Sequence, residues 1–255
     1  MTAQTRAGDV VVLAPEDYAV LGEQEFGVPG LVATEVIGPY ARIQAVGPLI
    51  MLHEGVIEPH RGIGHHPHRA NERLFYMLEG ALDHDDALNG ITGHMGPGDL
   101  GRLTEGRRGM VHKEWNNTDD TARAFILVYS TDPMPEGASF DALRDAQAPR
   151  YEEGPGVRTK ELVGPRSPLR IHGDIRFFAD TTLQAGAQLD VGLGEGEGAV
   201  LAPIEGQIAI GERRLGPNDR ALVPPGEARS LVVRASTPAR VLRVTFGPGY
   251  GFVVR

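Results

Sequence analysis

Short runs of apolar residues, bounded by glycine, proline, aspartate or asparagine, recur along the whole chain. They fall at 10–13, 41–45, 74–78, 124–129, 189–193, 200–204, 207–210, 221–223, 230–233 and 241–246. Runs this short between turn-forming residues predict β-strands. One stretch departs from that pattern. Over 140–148, Phe140, Leu143 and Ala146 follow a helical spacing until Pro149 stops it, which predicts a short helix. The expectation is an all-β chain with one short helix near its midpoint. Pro133, Pro135, Pro149 and Pro155 cluster in 132–156, so a linker there divides the chain almost equally.

The two halves look like copies of one plan. The first carries Met77-Leu78-Glu79-Gly80-Ala81 and then Met95-Gly96-Pro97-Gly98-Asp99. The second carries Pro203-Ile204-Glu205-Gly206-Gln207 and then Leu215-Gly216-Pro217-Asn218-Asp219. Strand, Glu-Gly turn, strand and Gly-Pro-x-Asp turn follow in the same order, as an internal duplication would leave them. The expected units are an N-terminal barrel over 1–135, a linker with the short helix over 136–156, and a C-terminal barrel over 157–255.

Composition narrows the function classes. The 255 residues include no cysteine, which removes disulfides, thiol chemistry and sulfur-ligated metals. A formal charge of −9 argues against direct binding to nucleic acid, which needs a basic surface. The first residues, Met1-Thr2-Ala3-Gln4-Thr5-Arg6, are followed by no apolar targeting core, and no apolar run is long enough to span a bilayer. These features predict a cytoplasmic protein that binds no membrane.

Histidine is where chemistry concentrates. Eight of the nine histidines lie between His53 and His112. His66-Pro67-His68 and His112-Lys113-Glu114 each place two metal-binding side chains two residues apart in β-like segments. Residues i and i+2 of a strand share a face. Two such pairs on neighbouring strands can bring three imidazoles and one carboxylate to one point. That donor set suits iron, manganese, nickel, copper or zinc rather than magnesium or calcium. Four protein ligands also leave room for water, dioxygen or a substrate oxygen, as a catalytic metal requires.

The same residues resemble the cupin superfamily. His66, His68, Glu72 and Gly80 follow its first motif, and Gly109, His112 and Asn116 its second. The likeness to the pirin family is closer. It lies in His66-Pro67-His68-Arg69, in Tyr76-Met77-Leu78-Glu79-Gly80, in Gly96-Pro97-Gly98-Asp99, and in the stretch from Thr104 to Glu114. It covers about 56–131 strongly and the rest by architecture. The resemblance implies two tandem cupin barrels of the double-stranded, Greek-key type. It also implies one metal per chain, usually iron, held in the N-terminal barrel by His66, His68, His112 and Glu114. Two functions follow from it. One is a quercetin 2,3-dioxygenase-like enzyme acting on an enolisable or aromatic hydroxy compound, in which Glu114 could also take the substrate hydroxyl proton. The other is a non-catalytic, metal-bound regulator that binds a transcription factor or metabolic enzyme. The chain departs from the family at Ala70-Asn71-Glu72-Arg73 and at Leu100-Gly101-Arg102-Leu103, which predicts a reshaped, more cationic pocket rim.

Other polar residues receive plainer expectations. Counting back from the Glu-Gly turns sets Gly192 and Gly194 opposite His66 and His68, and Arg229 opposite His112, so the second copy should hold no metal. His65 points away from its neighbours. His53 and His60 belong to loops or the barrel surface, and His94 to an ordinary strand. His84, within Asp83-His84-Asp85-Asp86, reads as part of a solvated acidic loop. Glu72 is a hydrogen-bond partner rather than a ligand. Arg107, Arg108 and Lys113 form a solvated face. The glycine-rich run 192–198 is a turn, since no helix follows it to bind phosphate.

Overall fold

The computed structural model describes residues 10–255, so the N-terminal stretch Met1 to Arg6 lies outside the described residues. Strands dominate, and each of the ten apolar runs lies within or overlaps one. They assemble into four sheets, of nine, seven, four and four strands. Each half of the chain folds as a barrel in which a large sheet faces a four-stranded one.

The alternation of the strands explains the layering. In the nine-stranded sheet, one face of Leu49–Ile57 buries Leu49 and Leu52 against the other barrel. Its other face turns Met51, His53, Gly55 and Ile57 into the N-terminal barrel. The core between the barrels is built from such outward faces, including Phe125, Leu127 and Tyr129 from one side and Phe178, Val200 and Leu242 from the other. A second cluster, with Phe75, Met77, Leu82 and Leu103, lines the N-terminal barrel. A third fills the C-terminal barrel.

The expected helix over 140–148 is not formed. Ser139–Leu143 is a strand, followed only by the single 3-10 turn Asp145–Gln147. It pairs antiparallel with Leu100–Thr104, setting Leu103 opposite Phe140 and Leu100 opposite Leu143. Ladder hydrogen bonds and the burial of Leu143 outweigh a helical spacing that lasts barely two turns. Pairing also joins distant parts of the chain. Val11–Leu13 extends the C-terminal barrel's sheet beside Arg220–Gly226, and Phe252–Val254 extends the N-terminal barrel's sheet beside Ile43–Val46. No helix among the described residues is long and apolar enough to cross a membrane.

Candidate metal centre

Two antiparallel strands, Gly62–His68 and Met110–Trp115, carry the candidate ligands and set His66 directly opposite His112. A bulge at Gly64 and His65 changes the alternation, so that Ile63, His66 and His68 all face inward. Close approach of the two strands requires glycine at position 62. A Cβ there would stand 2.2 Å from the Glu114 carbonyl oxygen. Gly109 adopts φ +79° in the turn before the second strand, close under the His68 carbonyl. Asn116 holds the far end by donating to the carbonyls of Ile57, Glu58 and Asp120.

The three imidazoles converge. Ring centroids lie 4.7 Å apart for His66 and His68, 4.6 Å for His66 and His112, and 5.1 Å for His68 and His112. One nitrogen from each comes within 4.8 Å of the others. His66 donates its Nδ1 hydrogen to the Gly64 carbonyl at 2.8 Å, which leaves Nε2 free to bind. Burial pushes His66 below its ordinary pKa and, with help from nearby Arg73, pushes His68 down to about 3. Both rings are therefore neutral at pH 7, the form a metal needs. His112 is fully buried, and its Nε2 makes no hydrogen bond.

Glu114 extends this cluster rather than closing it. Its Oε1 lies 2.7 Å from His112 Nδ1 and 3.8 Å from His84 Nδ1, yet lacks a well-directed hydrogen bond. Burial works against its charge, but the neighbouring histidines outweigh that and hold its pKa below the usual carboxylate range. The four expected residues, joined by His84, thus form two overlapping groups that share His112: His66, His68 and His112, and then His84, His112 and Glu114. Buried donor atoms without partners, neutral imidazoles and an ionised carboxylate fit a divalent transition metal.

His84 belongs to this cluster, contrary to the expected solvated loop. Leu82–Asp86 is a strand in which Leu82, His84 and Asp86 are buried while Asp83 and Asp85 are half-buried on the other face. His84 stacks on Phe140 with ring centroids 5.4 Å apart and planes 12° from parallel. Its Nδ1 stands 3.4 Å from His112 Nδ1. The alternation was present in the sequence, hidden by the aspartates on the outer face. Asp86 caps the following turn by accepting from the backbone of Leu88, Asn89 and Val111.

Other expectations divide. His65 pairs outward with Asp85, His60 with Asp119 and His94 with Asp83, and none joins the cluster. Arg108 pairs with Glu136 and Lys113 with Asp85 on the exposed face. His53 is not a surface residue: it lies in a strand and lines the barrel interior. Glu72 accepts from Thr104, Tyr129 and both the backbone and the ring of His172, on the face turned to the second barrel. The expected cationic rim reduces to Arg73, because Arg102 turns to that same inter-barrel face and donates to the Arg170 carbonyl and Ser139.

The cavity beside the imidazoles holds about 240 Å³. Its walls are mostly apolar and include Phe26, Leu31, Phe75 and Ile126. The C-terminal barrel is packed with apolar side chains. Leu189, Val191, Leu193, Leu231 and Val233 point inward and fill it. Gly192 and Gly194 alternate with these, because a bulge between Glu197 and Ala199 shifts by one the register that a residue count assumes, and Arg229 stands across from Leu193 on the paired strand. Among the described residues, both histidine and acid clusters able to hold a metal lie in the N-terminal barrel.

Comparison with known proteins agrees with this architecture. The family model described as Pirin matches residues 30–128. A pirin-like protein of Solanum lycopersicum is 30% identical over 217 residues, covering 79% of this chain and 71% of its own. A bacterial pirin from Escherichia coli, solved in complex with nickel(II), superposes with a TM-score of 0.79 at 16% identity, covering 94% of this chain and all of the other. A quercetin 2,3-dioxygenase from Acinetobacter baumannii superposes at 0.77 and 18% identity, covering 94% and 80%.

Proposed function

The chain belongs to the pirin family, and from that premise we propose that it is a metal-dependent oxygenase of the quercetin 2,3-dioxygenase type. Its substrate would be an enolisable or aromatic hydroxy compound. The observation that carries this reading is the convergence of three imidazoles, with Glu114 beside His112, at the wall of a largely apolar cavity. A relative in structure bears the quercetin 2,3-dioxygenase name, and another binds nickel(II).

His66, His68, His112 and Glu114 would hold the ion, and iron(II) is the metal we propose. When bound, such an ion supplies Lewis-acid activation of a substrate oxygen and electron exchange with dioxygen. The chain supplies the rest. Apolar walls exclude water and orient a flat ligand. Glu114, ionised and buried, accepts the proton of the substrate hydroxyl. His84 packs against His112 and limits its rotation.

Anaerobic loading with iron(II), followed by oxygen-uptake measurements on a panel of flavonols and related enols, tests the proposal. Uptake that disappears in His66→Ala is the expected result. No uptake across the panel would overturn it and favour a metal-bound regulator that acts on a protein partner.

A further inference from the structure

We propose that His53, held by Glu35, is the hydrogen-bond acceptor that selects ligands carrying a hydroxyl away from the metal-bound oxygen. The inference rests on the cavity being the ligand site of the preceding reading, and it adds a second point of recognition there.

Five polar side chains line the cavity: His53, His66, His68, Arg73 and Glu114. Three of these belong to the metal centre. Arg73 directs its Nε to the fully buried Glu105 at 2.6 Å. Arg73 can only donate, which leaves His53 as the acceptor outside the metal centre. His53 sits opposite Glu35 on the neighbouring strand, and its Nε2 lies 3.0 Å from Glu35 Oε2.

Glu35 is fully buried and firmly placed. Its Oε1 accepts the backbone N–H groups of Tyr40 and Ala41 at 2.6 and 2.9 Å, which fixes the turn after its strand. That turn occupies one oxygen only. The second is committed to the imidazole. A carboxylate can only accept, so Nε2 carries a hydrogen, and in the tautomer with that one ring hydrogen Nδ1 is a bare acceptor. No described residue bonds that nitrogen. As in hydrolytic triads, a carboxylate orients the histidine ring, here through Nε2 rather than Nδ1.

An apolar residue at position 53 would complete the wall formed by Met51, Gly55, Ile57 and Ile126. The His53 Nδ1 is reachable from the cavity, and a ligand that supplies a donor gains a hydrogen bond in an otherwise apolar wall. The class that supplies it is planar, apolar and hydroxylated: phenols and enols with a free O–H at the His53 end. Ethers of the same shape cannot donate and leave Nδ1 unpaired.

Phenol and anisole, two probes of similar shape that differ in the donor hydrogen, test this on the full chain loaded with zinc, which is diamagnetic. Nitrogen-15 labelling of the histidines reads the ring directly. The expected spectrum shows His53 with its hydrogen on Nε2, and phenol moves the Nδ1 resonance while anisole does not. Phenol should bind about tenfold more tightly than anisole, the worth of one hydrogen bond. His53→Phe should abolish that preference, and the wild-type comparison stands even if this variant fails to fold. Equal affinities, an Nδ1 resonance unmoved by phenol, or exclusion of both probes from the cavity would each overturn the inference. Failure of the oxygenase reading looks different: iron-loaded chain that consumes no oxygen, with the preference for phenol intact.

Discussion

Burial sets the basicity of His66 and His68 on the strand Gly62–His68, and this has a measurable consequence. Unfolding returns each ring to its ordinary range near 6.5. Below that pH the unfolded chain binds protons that the folded chain refuses. Stability of the metal-free protein should therefore fall as the pH drops below about 6.5, and keep falling until His68 protonates near pH 3. Urea midpoints recorded across that window check the sign, and a midpoint that rises on acidification would refute it. His112→Ala should remove metal binding most completely, since both candidate groups share His112. Glu114→Gln should weaken binding by at least tenfold and abolish proton acceptance. Unchanged metal content and turnover in Glu114→Gln would remove its assigned role.

At the scale of elements, the strands were readable wherever alternation stood clear of its surroundings. His66 and His68 declared a shared face because they stand two positions apart, and the structure brings them together on it. His84 was hidden because Asp83 and Asp85 made its strand look like a solvated loop. Phe140 was misread because three residues at helical spacing say nothing of a partner strand, and Leu100–Thr104 comes from far back in the chain. Arg102 and Glu72 could not be placed from sequence, since alternation gives two faces without saying which one meets the other barrel. Glu72 now carries a prediction. Its replacement by alanine strips the acceptor from Tyr129, Thr104 and His172, and should destabilise the protein by about 3 kcal/mol. Glu79→Ala, at the exposed end of the same strand, is the control that should cost little. Equal unfolding midpoints for the two variants would show that this inter-barrel network contributes nothing.

Across the whole molecule the two barrels have divided their labour. One keeps a cavity and its donor atoms, and the other spends the same interior volume on leucine and valine. Elemental analysis of the loaded protein should find close to one metal ion per chain, and two would contradict the packing of the C-terminal barrel. The duplicated plan was visible in the paired Glu-Gly and Gly-Pro-x-Asp turns. What the turns could not convey was the bulge between Glu197 and Ala199, which puts Val191 and Leu193 where a residue count puts glycine.

The exchange of terminal strands bears on how this protein could be taken apart. Val11–Leu13 is a rib of the far half, and Phe252–Val254 a rib of the near one. Severed at the midpoint, each fragment would leave carrying a piece of its neighbour and baring a raw sheet margin, the kind of surface that seeks another strand. Such fragments should be poor solitary proteins and ready to knit together again when mixed.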